Sequence, residues 1–180
     1  MKKTILLLLG IMICFSCKQN KPSPKVELKI SEPNGIEIIE KAENKIQYIE
    51  NDTLVINWEN NLENFCSKSS LFKKQIEPYE NHHDETVIDT IKTLNFEKSN
   101  LKFYKAVNFE KLMSARIMNS EIKITESINV GMSKSQLEKI IKTKIESDIL
   151  NIENLEGSVS FILTFYKDSL KVIEFEGYVD

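Results

Sequence analysis

The stretch Ile128 to Lys142, INVGMSKSQLEKIIK, reads as a strand end, a glycine turn and a short capped helix. Ser133 and Gln136 stand three apart, as a capping box requires, and Met132 and Leu137 flank them as a hydrophobic staple. Leu137, Ile140 and Ile141 fall at i, i+3 and i+4, which predicts one apolar helix face over 134–142. Such a helix needs a sheet to cover, and alternating segments lie on both sides of it.

Downstream, Val159, Phe161, Leu163 and Phe165 alternate with polar residues, Lys167-Asp168-Ser169 form a turn, and Leu170 to Phe175 return. A C-terminal β-hairpin follows, with Phe161, Leu163, Phe165, Ile173 and Phe175 predicted as core. The polar, acidic segment between helix and hairpin offers Ile145, Ile149, Leu150, Ile152 and Leu155 as anchors to that core.

Upstream, Thr86 to Phe96, Leu101 to Val107 and Leu112 to Met118 are rich in β-branched and aromatic residues and are joined by short polar links, which predicts an antiparallel meander. Met113, Ala115 and Ile117 share one face of the last strand, and Ile122 and Ile124 extend it. Trp58, Leu62, Phe65, Ser69, Phe72 and Ile76 are spaced by three and four, so a longer helix is expected over 59–76, stopped by Pro78. Short strands are expected at 26–30, 36–39, 46–49 and 54–58, although Ile36 to Ile46 also fits a helix. The fold class is therefore α+β: a mainly antiparallel sheet, one longer helix, one short capped helix and the C-terminal hairpin.

The N-terminus is of another kind. Lys2 and Lys3 precede an apolar run from Ile5 to Phe15, followed by Ser16 and Cys17. This is the pattern of an export signal, and the run falls short of the roughly 20 apolar residues that span a bilayer. Cys14-Phe15-Ser16-Cys17, with Lys18-Gln19-Asn20 after it, resembles the lipobox of Bacteroidota lipoproteins. The resemblance implies cleavage after residue 16 and acylation of Cys17. Two or more acyl chains hold a protein stably, since each buried CH₂ contributes about 0.8 kcal/mol. In that family an aspartate after the cysteine favours the inner membrane, and here Lys18 occupies the position. The implied location is the outer membrane, on its periplasmic face, with surface exposure as the alternative. Residues 17–25, with Pro22 and Pro24, read as a tether, and 26–180 as one α+β domain.

The segment 128–180 is similar to the small outer-membrane assembly lipoproteins of the BamE/SmpA type, and to the related β-lactamase-inhibitor-protein fold. Val130, Gly131, Met132, Ser133, Lys134, Leu137 and Ile140 carry the likeness. The family closes its helix with Leu-Gly-x-Pro, whereas this chain has Ile141-Lys142-Thr143-Lys144, and a long stretch precedes the motif here. The likeness implies a local helix-on-sheet fold and transfers no functional residue.

Composition narrows the function. The formal charge is −3, and loss of Lys2 and Lys3 with the signal takes it to −5, with Arg116 as the single arginine. Scattered lysines on an acidic chain disfavour nucleic acid. Of the cysteines, Cys14 leaves with the signal and Cys17 is acylated, so Cys66 stands alone, expected as a buried apolar side chain. The only cluster of metal-ligand types is YENHHDE at 79–85, where adjacent His82 and His83 in an extended chain would point apart; a solvated loop is the plainer reading. Glycines at 35, 131, 157 and 177 fit no nucleotide-binding loop, and no GxSxG or HExxH occurs. The sequence thus predicts no enzyme, metal or cofactor, but a membrane-anchored protein-binding or scaffold module with another envelope protein as its partner. The alternative is a periplasmic small-ligand binder or sensor.

Overall fold

Asn51 begins the first helix: its side chain accepts the Leu54 N–H at 3.0 Å, and Asp52 adds a negative charge to the first turn. In the computed structural model, which describes residues 45–81, 83–84 and 86–178, that helix is α1, Asp52–Lys68, and it follows strand β1, Ile46–Glu50. The expected signal 1–16, Cys17, the tether to Lys25 and the strands at 26–30 and 36–39 lie outside the described residues.

The helix differs from the expectation at both ends. Residues 54–58, read as a strand, are helical, and the chain leaves the helix at Ser69, whose backbone is extended at φ −85 and ψ 134. The stripe that α1 buries is Val55, Trp58, Leu62 and Cys66. Phe72 belongs to the same cluster in space rather than along the helix, because its ring meets Phe65 and Phe96 edge-on at 6.3 and 6.4 Å. Ile76 is exposed, and Pro78 lies inside strand β2, Lys73–Glu80, instead of ending the helix. That strand is the last of its sheet, where a residue without an N–H is tolerated.

Strands β3 (Ile88–Phe96), β4 (Ser99–Lys105) and β5 (Glu110–Ile117) form the meander with β2, all antiparallel. Between Lys102/Ser114 and Phe103/Leu112 the register shifts, so Met113 is an extra residue on β5. The bulge corrects the expected face: Leu112, Ala115 and Ile117 are buried, while Met113 leaves the alternation. Two short strands follow, β6 (Lys123–Thr125) and β7 (Ile128–Asn129), with Ile122, Ile124 and Ile128 fully buried.

The second helix, α2, spans Lys134–Ile141 and carries the expected capping box. Ser133 Oγ accepts the Gln136 N–H at 3.2 Å, and Gln136 Oε1 accepts the Ser133 N–H at 2.8 Å. Gly131, at φ 99, makes the turn, and its N–H donates to the Leu170 carbonyl while Leu170 N–H donates back to Met132. This exchange ties the helix start to the C-terminal hairpin. Met132, Leu137 and Ile141 are buried, but Ile140 points outward, because eight residues bury only a narrow stripe.

The acidic segment hides a strand. β8, Ile149–Glu153, pairs parallel with β1 and antiparallel with β9 (Ser160–Tyr166), which returns through β10 (Ser169–Glu176). Leu150 and Ile152 reach the core as expected; Leu155 does not. The result is an α+β fold whose eight-stranded sheet runs β1-β8-β9-β10-β5-β4-β3-β2, antiparallel except at its β1 edge.

All five predicted hairpin core residues are buried. Trp58 of α1 meets Phe161 edge-on at 5.4 Å, and Phe161 meets Phe175 at 4.9 Å, so α1 covers the Phe161 face. Alternation places Ile162, Thr164 and Val172 on the other face, which carries no helix among the described residues.

Candidate functional site: the loop end of the sheet

Strand direction sorts the connections into two ends. At one end lie the tight turns Glu97-Lys98 and Lys167-Asp168, whose own residues are charged, together with the links into β2 and out of β5, where Leu71 and Met118 are each 38% exposed. Lys167 and Asp168 both have positive φ, the backbone of a two-residue hairpin turn. At the other end, where β1, β8, β10, β4 and β2 finish, the connections are longer and apolar at their tips. Val107 is 84% exposed and Leu155 71%, with Phe109, Ile88, Tyr178 and Ile56 also exposed. With strands about 4.8 Å apart, the tips from β8 to β3 extend laterally over roughly 24 Å and step along the strands, since Glu176 stands opposite Ser114 while the β4–β5 hairpin runs on to Lys105 and Glu110.

These tips are held in place. Asn154 Oδ1 accepts the N–H groups of Ser158 and Val159 at 2.9 and 3.0 Å, its carbonyl accepts Gly157 N–H, and Asp52 Oδ1 accepts the Leu155 N–H at 2.9 Å. Leu155 is therefore fixed outward, beside a groove of about 330 Å³ shared with Ile56 and Val159. Ala106 N–H closes the β4–β5 loop on Phe109 O at 3.0 Å. The Tyr104 ring joins this loop to β2, lying 5.7 Å from Phe109 and 5.9 Å from Tyr79.

The loop after β2 is built around Asn81. Its Oδ1 accepts from the His83 and Asp84 N–H groups, and its Nδ2 donates to Asp89 at 2.7 Å. Tyr104 Oη also donates to the buried Asp89 carboxylate. That hydrogen bond raises the Tyr104 pKa, and two bonds from Thr86 hold the Asp84 pKa below the usual carboxylate range. The region read as a solvated loop is thus ordered by Asx-type bonds at Asn81, with His83 exposed and His82 and Glu85 outside the described residues. Among the described residues no three His, Cys, Asp or Glu side chains come together as a metal site.

Cys66 is buried in α1, and burial pushes its thiol up to about 12. The motif at Gly131 borders a groove of about 540 Å³ with Ser127, Asn129, Gln136 and the outward Ile140. A third groove, about 430 Å³, runs between α1 and β6, with Phe65 and Ile124 on its floor side and Lys68 and Lys123 at its margins.

The sequence reading did not anticipate the loop end. Leu155 was expected in the core and Val107 inside a strand; both flank turn residues, Asn154 and Gly157 in one case and Asn108 in the other, and that adjacency was the available signal. No protein-family model, curated protein or solved structure matches this chain.

Proposed function

We propose that the chain is an envelope lipoprotein, held at the periplasmic face of the outer membrane by acyl chains on Cys17, that binds another envelope protein and acts as a scaffold. The observation that carries the protein-binding reading is the loop end, where Leu155 stands out on a loop fastened by Asn154 and by Asp52 of α1, and Val107 and Phe109 on a loop closed by the Ala106 N–H to the Phe109 carbonyl. Exposed apolar side chains on an ordered edge suit protein contact, and fixed loops lose little entropy on binding. Anchoring raises the effective concentration of such a module near membrane partners. In this proposal the BamE/SmpA-type resemblance of 128–180 enters as a local helix-on-sheet fold and brings no functional residue with it.

The test is crosslinking and affinity recovery of the full-length chain from membranes beside a Cys17→Ala variant. Recovery of an envelope protein with the acylated form, reduced by Leu155→Ser and Phe109→Ser, is the expected outcome. A mature chain recovered without acyl groups on Cys17, read by mass spectrometry of its N-terminal peptide, would remove the lipoprotein reading, and recovery unaffected by the two serine variants would remove the loop end.

The groove between α1 and β6 favours a second reading, a small-ligand binder. Phe65 and Ile124 beside Lys68, Lys123 and Glu126 suit a small amphipathic molecule. A ligand retained in native mass spectrometry and lost with Phe65→Ala would support it; its absence with no partner loss at the loop end would return the choice to the scaffold.

A further inference from the structure

The charges around the apolar tips specify the kind of partner. Glu50, Glu80, Asp84, Glu153, Glu156 and Glu176 all lie at the loop end, at strand finishes or in the connecting loops. Among the described residues the cations of this end are mostly engaged, with Lys105 beside the Val107 loop as the exception: Lys92 pairs with Glu110 and lies over the Phe103 ring at 4.2 Å, and Lys111 reaches Glu59 at 2.8 Å. The opposite end mixes signs, with Lys134 bridging Asp148 at 2.7 Å and Asp168 at 3.8 Å, and Lys167, Lys98, Lys45 and Glu97 at the same end of the sheet.

We infer that the loop end docks a partner protein through an apolar segment flanked by lysine or arginine. The inference rests on the protein-binding reading above and adds the chemistry of what is bound. Val107, Phe109, Leu155 and Tyr178 supply the apolar contact, and the carboxylate rim selects the sign of the partner. A bare membrane surface is disfavoured by the same rim, because anionic headgroups would meet a row of carboxylates. A second copy of the chain docking by this same end would set carboxylates against carboxylates, and like charges across an interface are costly. Basic residues on the partner instead find acceptors at the margin, where they speed encounter and fix register.

Site-specific photocrosslinking of the full-length, acylated chain in cells tests this. The photoreactive residue replaces Val107 or, as the control at the opposite end, Lys167, and the crosslinked partner segment is sequenced by mass spectrometry. The expected result is an adduct from Val107 and none from Lys167, to an apolar segment with Lys or Arg within a few residues. Its yield should fall about tenfold when Glu156→Gln and Glu176→Gln are combined, the scale on which steering charges act. An adduct from Val107 that survives the glutamine variants, or whose segment is acidic, overturns the inferred chemistry and leaves protein binding intact. Adducts to lipid or to a second copy of the chain also overturn it. Failure of both probe positions to give any adduct overturns the protein-binding reading with it.

Discussion

Glu63 of α1 accepts the Leu112 N–H at 2.8 Å, across 49 residues of sequence. Leu112 stands at the β5 bulge, where the extra residue Met113 breaks the ladder, so the helix satisfies a backbone donor that the sheet does not. Glu63→Ala leaves that donor unpaired beside a fully buried side chain and should cost about 1–3 kcal/mol. Glu63→Gln retains an acceptor oxygen and should cost less than the alanine variant. Denaturant unfolding of the two variants measures the difference, and equal costs would mean that helix propensity, not the bulge, decides.

The capped helix separates burial from pattern. Leu137 is fully buried, whereas Ile140, one turn away on the same nominal stripe, is 38% exposed. Leu137→Ala should cost roughly 2–5 kcal/mol, in the range of buried Leu truncations. Ile140→Ala should stay within about 0.5 kcal/mol, as surface substitutions do. Ser133→Ala removes the cap and should cost about 1 kcal/mol. Thermal unfolding of the three variants checks the order, and a large loss at Ile140 would place that side chain against a covering element.

For Cys66, burial raises the thiol from 9.0 to about 12, opposed in part by Lys92 and reinforced by Glu63. At pH 8 the native thiolate fraction is then about one in ten thousand, so alkylation should proceed only through unfolding. The raised pKa also sets a sign: between 9.0 and about 12 the unfolded chain has released a proton that the native chain keeps, so this group's contribution to stability falls as pH rises through that window. Iodoacetamide labelling against denaturant concentration tests it, and rapid labelling of the native protein at pH 8 would contradict the burial.

How far the sequence carried depends on how local the signal was. The Ser133–Gln136 box and the 161–165 alternation were legible because both are set by neighbours a few residues apart. The end of α1 was not. Phe72 and Ile76 extend the helical spacing of Trp58 and Leu62 by coincidence, since Phe72 meets Phe65 from a strand approach and Ile76 faces solvent. β8 was missed, although its antiparallel partner β9 begins at Ser160, because its five residues, ILNIE, show no clean alternation and sit among acidic residues. The loop end was invisible for a related reason: that Leu155, Val107, Phe109 and Ile88 lie at the same end of the sheet follows only once the strand order is known.

The two sheet edges are defended unequally, and the last prediction concerns β2. It pairs only with β3 among the described strands, and apart from Tyr79 its residues are exposed, so its outer backbone is open to another strand. Lys73 and Lys74 place charge on that edge, and Pro78 removes one donor from its middle, the devices that discourage edge pairing. Replacing Pro78 with Val and Lys74 with Thr restores the donor and adds β-branched residues while leaving the β3 register of Lys74↔Leu94 and Pro78↔Thr90 in place. The expected outcome is a higher weight-average mass in sedimentation equilibrium than the parent at equal concentration, with growth on warming as long flat edges seed association. A mass equal to the parent's would show that β2 is kept from pairing by its twist or by its neighbours, and not by Lys74 and Pro78.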